Sequence, residues 1–217
     1  MKAKRHCEIA ILLVGLFALA GLAQGSRHKR QSQSGTPGQF DYYVLTLSWA
    51  PEFCHSHGDS PECQGGHYGF VVHGLWPQFT TNGYPENCSN APGLTDPSSM
   101  IDIMPDPKLI AHEWTTHGTC SGLDADSYFK LIRQAFASVH VPAKFSAPAQ
   151  NFSVSPSEVK DSFLQSNPQL SREEMTVSCG NNYLTAVSVC MTKSLAPTAC
   201  EALRDCRATT IRVPPVR

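Results

Sequence analysis

Phe70-Val71-Val72-His73-Gly74-Leu75-Trp76-Pro77-Gln78 and Ala111-His112-Glu113-Trp114-Thr115-Thr116-His117-Gly118-Thr119-Cys120 are the two stretches on which the reading of this sequence turns. Phe70-Val71-Val72 has the β-branched and aromatic content of a short strand, and it ends in His73-Gly74-Leu75-Trp76-Pro77. The second stretch closes a helix. Asp106-Pro107 supplies an N-cap and a first-turn proline, so a helix is expected through about Thr116. One stretch is thus strand and the other helix, and both carry histidine.

Working outward, Phe40 to Trp49 is rich in Tyr, Val, Leu and Thr and reads as a buried strand. Residues 50–67 read as a loop pinned to itself, and residues 77–99, with four prolines, as a long surface loop. Asp124 or Asp126 can cap a second helix, with Tyr128, Leu131, Ile132, Ala135, Phe136 and Val139 recurring on one face. Ser155-Pro156-Ser157-Glu158 is a capping box that opens a third, from about Pro156 to Gln165. Strands near Met175–Cys179, Tyr183–Met191 and Ala208–Val213 complete the pattern. No internal repeat or second domain is visible, and the fold expected is a single α+β domain, a central antiparallel sheet flanked by helices.

The chain has 217 residues, 41% apolar and 16% charged, which excludes a disordered chain. Lys2, Lys4 and Arg5 precede an apolar run from Ile9 to Ala20, followed by small residues at Gly21 and Ala23. That is the pattern of a secretory signal peptide over residues 1–23, with a flexible leader over 24–38 and the folded domain over 39–214. The apolar run, about 12–14 residues, is short of the roughly 20 that span a bilayer, so no membrane anchor is expected after signal removal. A secreted or periplasmic monomer is the expectation.

Of nine cysteines, Cys7 lies in the signal, leaving an even eight and an expectation of four disulfides, which 105 pairings could satisfy. No two cysteines have the close spacing of structural zinc sites, so no metal or other cofactor is expected. Without residues 1–23 the chain carries 14 basic and 17 acidic residues and eight histidines. A formal charge of −3 counts against nucleic acid at neutral pH, but protonation of the histidines would carry it to about +5 near pH 5.

The second stretch resembles at first a zinc-protease helix. Its histidines, however, are five apart, about 140° round a helix, where that motif needs four, about 40°. Glu113 and His117 are instead the i,i+4 pair expected to touch, with His112 opening onto the same side. With His73 delivered from a strand end, three imidazoles and a carboxylate can surround one cleft. Cleaving a phosphodiester with its own 2′-OH needs a base, an acid and cationic support for the phosphoryl oxygens, which this set supplies without metal. Trp76 and Trp114 taken alone would read as core.

Gly69 to Pro77 and His112 to Cys120 resemble the two active-site segments of the ribonuclease T2 family. The opening Tyr43 to Trp49, the Phe53-Cys54 pair and the late Cys179, Cys190, Cys200 and Cys206 fit too, so the resemblance covers about residues 40–213. It implies a metal-independent endoribonuclease of α+β fold acting on single-stranded RNA, not DNA, through 2′,3′-cyclic phosphates to 3′-phosphates, with little base specificity. Carried over, His117 would take the 2′-OH proton, His73 would protonate the leaving oxygen and His112 would bind phosphate. Glu113 would polarise the phosphoryl group or orient its neighbours, and Trp76 would stack on a base with Tyr84 as a second wall. The family pattern also implies the pairs Cys54–Cys63, Cys88–Cys120, Cys179–Cys206 and Cys190–Cys200.

Two positions depart from it. Thr116 stands where the family commonly has lysine, so it would bind the phosphoryl oxygen by hydrogen bond, or Lys108 or Lys144 would replace the charge. Ser48 stands where relatives often have glutamine at the downstream base site. Thr116 motivates the rival reading, an RNA-binding or interaction protein with weakened catalysis. An extracellular inhibitor would leave the His-Glu-His arrangement without a purpose.

Overall fold

The computed structural model describes residues 32–81 and 83–217. The expected signal peptide over 1–23, and the leader up to residue 31, lie outside the described residues. The strands are β1 (Ser32–Ser34), β2 (Tyr42–Trp49), β3 (Phe70–Gln78), β4 (Tyr84–Glu86), β5 (Phe152–Val154), β6 (Met175–Gly180), β7 (Tyr183–Met191) and β8 (Ile211–Val213). The helices are α1 (Ala50–Ser56), α2 (Pro61–Gly65), α3 (Pro107–Thr116), α4 (Ala125–Ala137), α5 (Ala143–Ser146) and α6 (Pro156–Ser166).

Caps explain where the three main helices start. Asp106 Oδ1 accepts from Lys108 N at 2.8 Å and Asp124 Oδ1 from Ser127 N at 2.8 Å, satisfying donors that a first turn leaves orphaned. At α6 both arms of the capping box form, Ser155 N to Glu158 Oε2 at 2.8 Å and Glu158 N to Ser155 Oγ at 3.2 Å.

The main sheet runs in the order β3-β2-β7-β8-β5, with β6 also paired to β7. Its ladders are antiparallel except for one parallel pairing between β7 and β8, at Tyr183 and Arg212. The strand period of two sorts β2 by face. Tyr43, Leu45, Leu47 and Trp49 enter the large core with Trp114, Tyr128, Ile132, Phe145 and Phe163, whereas Tyr42 and Val44 pack on the other side beside Cys190 and Cys200. The cysteines pair Cys54–Cys63, Cys88–Cys120, Cys179–Cys206 and Cys190–Cys200.

Several segments differ from the sequence reading. Residues 50–67 contain α1 and α2, joined by Cys54–Cys63, because Pro51 and Pro61 open short helices rather than break chain. Ordered chain begins before Phe40: Ser32–Ser34 pairs in parallel with Tyr84–Glu86, inside the stretches read as leader and as loop. β3 does not stop at Val72 but runs on to Gln78.

That extension holds a bulge. Thr46 faces Gly74 and Leu47 faces Val72, so His73 is the extra residue with no partner across the ladder. Three residues apart on a regular strand, His73 and Trp76 would point to opposite faces. The inserted residue brings them together, ring centroids 5.3 Å apart at 77°, both partly open.

Candidate active site

α3 lies against β3, and the point of closest approach is a glycine. A Cβ on Gly74 would stand 2.1 Å from Glu113 Oε2 and 2.5 Å from Trp76 Nε1, so only glycine leaves room for the carboxyl. Trp76 Nε1 donates to Glu113 Oε2 at 2.6 Å, and Glu113 Oε1 lies 3.5 Å from His73 Nε2. Glu113 is 1% exposed, so it forms the floor beneath these two rings.

The i,i+4 expectation for Glu113 and His117 is corrected here. Among the described residues the histidine within ion-pair distance of Glu113 is His73. His117 is the C-cap of α3, with φ −115°, and leaves the helical path. Its ring sits instead beside Trp76, centroids 5.4 Å apart, and Tyr84, 6.1 Å. The structure therefore brings His73, Trp76, Tyr84, Glu113 and His117 into one cluster.

His112 is exposed on α3, with Thr116 Oγ1 3.4 Å from its Nδ1, a long contact one helical turn on. Lys144 lies over the Phe152 ring at 5.0 Å, committed elsewhere. Trp114 is core, 2% exposed, with its Nε1 donating to Ala91 O at 2.9 Å.

The segment bearing Tyr84 is fastened to the end of α3. Asn87 N donates to Thr116 O at 2.8 Å, Cys88 N to Thr119 Oγ1 at 3.2 Å, and Cys88 is bonded to Cys120. These ties hold the segment bearing Tyr84 against His117. From α4, Tyr128 OH donates to Leu75 O at 2.8 Å and steadies β3 between His73 and Trp76.

Burial sets the protonation of the empty site. It pushes the Glu113 carboxyl up to about 8, against the lowering hydrogen bond from Trp76. It brings His117 down to about 4, with His112 and His73 adding repulsion, and it lowers His73, with His112 adding to the effect. His117 Nδ1 is buried without a hydrogen-bond partner.

Sequence reasoning missed one contact in this cluster. Ser48 Oγ lies 2.9 Å from His73 Nδ1. Ser48 stood out only as a departure at a base site, and the bulge that brings His73 beside it leaves no mark in the sequence.

The protein thus has an α+β fold that gathers two histidines, one on a strand bulge and one at a helix end, beside a buried carboxyl. The model of the Ribonuclease T2 family matches residues 40–200, and the chain belongs to that family. A "Ribonuclease" of Aeromonas hydrophila is 42% identical over 101 residues, covering 45% of this chain and 45% of that protein. A "Probable ribonuclease" of Haemophilus influenzae is 33% identical over 156 residues, 64% of this chain and 54% of that protein. The chain thus spans about half the length of these relatives. Trichomaglin, described as a novel S-like ribonuclease, superposes with a TM-score of 0.65 at 19% identity over 82% of this chain and 100% of its own, a likeness of fold.

Proposed function

We propose that the protein is an endoribonuclease that cleaves single-stranded RNA by transphosphorylation and then hydrolyses the 2′,3′-cyclic phosphate to a 3′-phosphate. The observation that carries this reading is that His73 and His117 both pack on Trp76, ring centroids 5.3 and 5.4 Å away, with the buried Glu113 carboxyl 3.5 Å from His73. His117, neutral in the empty site, takes the 2′-OH proton through the nitrogen that is not buried. The freed 2′-oxygen attacks phosphorus, the bond to the 5′-oxygen breaks, and His73 Nε2 gives that oxygen its proton. In the second step water enters with the proton roles reversed.

An incoming phosphodiester is anionic, so it raises the imidazole pKa values that burial lowers. His112, exposed at the rim, binds the phosphate, while Glu113 orients Trp76 and His73. Trp76 stacks on a base with Tyr84 as second wall, and stacking of about 1–3 kcal/mol per base tolerates most sequences. DNA lacks the nucleophile and is not a substrate. Export is supported by the four disulfides, which persist in oxidising compartments, and by the signal pattern over residues 1–23. No helix among the described residues is long and apolar enough to cross a membrane.

Thr116 favours a second reading, RNA binding with little turnover, because a missing cationic donor costs about 2.7–4 kcal/mol in a transition state. One experiment separates them. The purified protein, with chelator present, is given a defined oligoribonucleotide and its DNA counterpart across pH 4–8, and product ends are identified by mass. Cyclic phosphate from RNA alone is expected, falling at least about 10²-fold in His73→Ala or His117→Ala. Cleaved DNA, or loss of activity to chelator, defeats the ribonuclease mechanism, and RNA retained without cyclic product selects the binding reading.

A further inference from the structure

We infer that Ser48 is a positioning residue that holds a proton on Nδ1 of His73 and so commits Nε2 to the exchange with substrate. The inference rests on the proposed acid role of His73 for its catalytic consequence, although the tautomer it assigns follows from the ring's surroundings alone.

The His73 ring has a partner at each nitrogen. Nε2 faces Glu113 Oε1 at 3.5 Å and Nδ1 faces Ser48 Oγ at 2.9 Å. While the carboxyl and Nε2 share a proton, two placements satisfy the first contact; the third, a carboxylate accepting from Nε2–H of a neutral ring, needs pH above about 8, where Glu113 ionises. If the carboxyl is protonated, it offers its O–H toward an unprotonated Nε2, and a neutral ring must then carry its one proton on Nδ1. If the carboxyl is ionised, the ring is imidazolium and carries protons on both nitrogens. Nδ1 bears hydrogen in either case, so Ser48 Oγ is the acceptor in both. The serine remains an acceptor whether His73 holds or has given up its Nε2 proton, which a positioning group beside a proton-transfer residue requires.

The backbone explains why a serine can do this. Ser48 lies on β2, paired on one side to Val71 of β3 and on the other to Ala186 of β7, so its position is braced from both edges. Two residues before it, Thr46 Oγ1 is taken up by Ser188 Oγ at 3.0 Å, the registered partner across the ladder. No second hydrogen-bond partner competes for Ser48 among the described residues. The bulge shifts His73 out of register and delivers Nδ1 to a side chain with a single heavy atom beyond Cβ.

The other charged or titratable groups facing the ring come from α3 and its end: Glu113, His112 and His117. From β3 itself only the Trp76 ring packs on it. None of these reaches Nδ1 as a hydrogen-bond partner, so removal of the serine hydroxyl leaves that N–H without one. A hydrogen bond to the charged form favours it. Loss of the hydroxyl therefore destabilises the imidazolium and frees the neutral ring to move its proton to Nε2.

The test compares Ser48→Thr with Ser48→Val in the full chain, two side chains of like volume and strand preference that differ by the hydroxyl. Imidazole nitrogen NMR of the free protein reads tautomer and titration directly. Wild type and Ser48→Thr are expected to show His73 as the Nδ1–H tautomer, while Ser48→Val shows a mixture and titrates at lower pH. In turnover, Ser48→Val is expected to lose about tenfold or more in kcat with KM little changed, and the alkaline limb of its kcat profile moves to lower pH. Ser48→Thr restores both. An unchanged tautomer and titration in Ser48→Val overturns the inference even if wild type cleaves RNA. A shifted tautomer in a protein that cleaves no RNA upholds the positioning role and defeats the ribonuclease reading instead.

Discussion

Gly74 is the residue on which the site's geometry depends most sharply. Its missing side chain is the space that Glu113 Oε2 and Trp76 Nε1 use to reach each other at 2.6 Å. Gly74→Ala places a methyl group at 2.1 Å from that oxygen, and neither the buried carboxyl nor β3 backbone can yield cheaply. We expect the variant to fold with a lower Tm and to lose most of its turnover, measured as cyclic-phosphate release. Glu113 tests the same floor by pH. Its carboxyl is raised from 4.5 to about 8, so the stability associated with the protonated group is fully present below pH 4.5. It is lost as pH rises through about 8, because the unfolded chain ionises first. Glu113→Gln keeps an acceptor for Trp76 but cannot ionise. Urea unfolding at pH 5 and pH 8 should show a smaller drop in stability for the variant than for wild type. At this scale the sequence was legible in residue identity, since two histidine-bearing stretches marked the site. It was not legible in partnership: i,i+4 spacing assigns Glu113 to His117, whereas burial against Gly74 turns it to His73.

Among the elements, those with strong local signals were read within a residue or two. α3, α4 and α6 each begin at a side-chain cap that the sequence displays. The strand β3 was read short because Gly74 and Pro77 look like terminators, yet as the edge strand of its sheet β3 needs no ladder donor there. The bulge at His73 breaks the period of two and so escapes a reading based on period. α1 and α2 were hidden by the same proline and glycine content that makes a loop. The connection between α3 and the segment of Tyr84 has its own test. Cys88→Ser with Cys120→Ser removes the covalent tie but leaves the hydrogen bonds of Asn87 and Cys88 main chain to α3 and the turn after it. Activity should fall, with KM rising, at temperatures where far-UV circular dichroism still reports a folded protein. A variant with native KM would show that the hydrogen bonds suffice.

For the molecule as a whole, formal charge was the least informative quantity in the sequence. The total is −1 at pH 7 with nine histidines uncounted, yet the groups that would meet phosphate are imidazoles whose charge depends on pH and on neighbours. The empty site has His117 lowered to about 4 and His73 lowered from 6.5. On the proposed roles, kcat/KM should rise as pH increases through about 4, where His117 becomes the neutral base. It should fall again below the ordinary histidine value, where His73 loses the proton it must give. The expected profile is a bell on the acid side of neutrality, and an optimum above pH 7 would show that these two lowered histidines are not the acid and base. The sequence could show that histidines were numerous. It could not show which of them the fold would bury.

The short ladder between Ser32–Ser34 and Tyr84–Glu86 carries a last consequence, one of maturation. The segment that braces the Tyr84 wall belongs to the stretch between the expected export signal and the domain, so on the proposed export any processing of the leader would fall beside it. A processing cut before Ser32 would leave the Tyr84 segment its paired strand, and a cut a few residues later would remove that strand while sparing His73, Glu113 and His117. Two forms of one gene product, alike in chemistry and different in grip on RNA, would then differ only in where the leader was clipped.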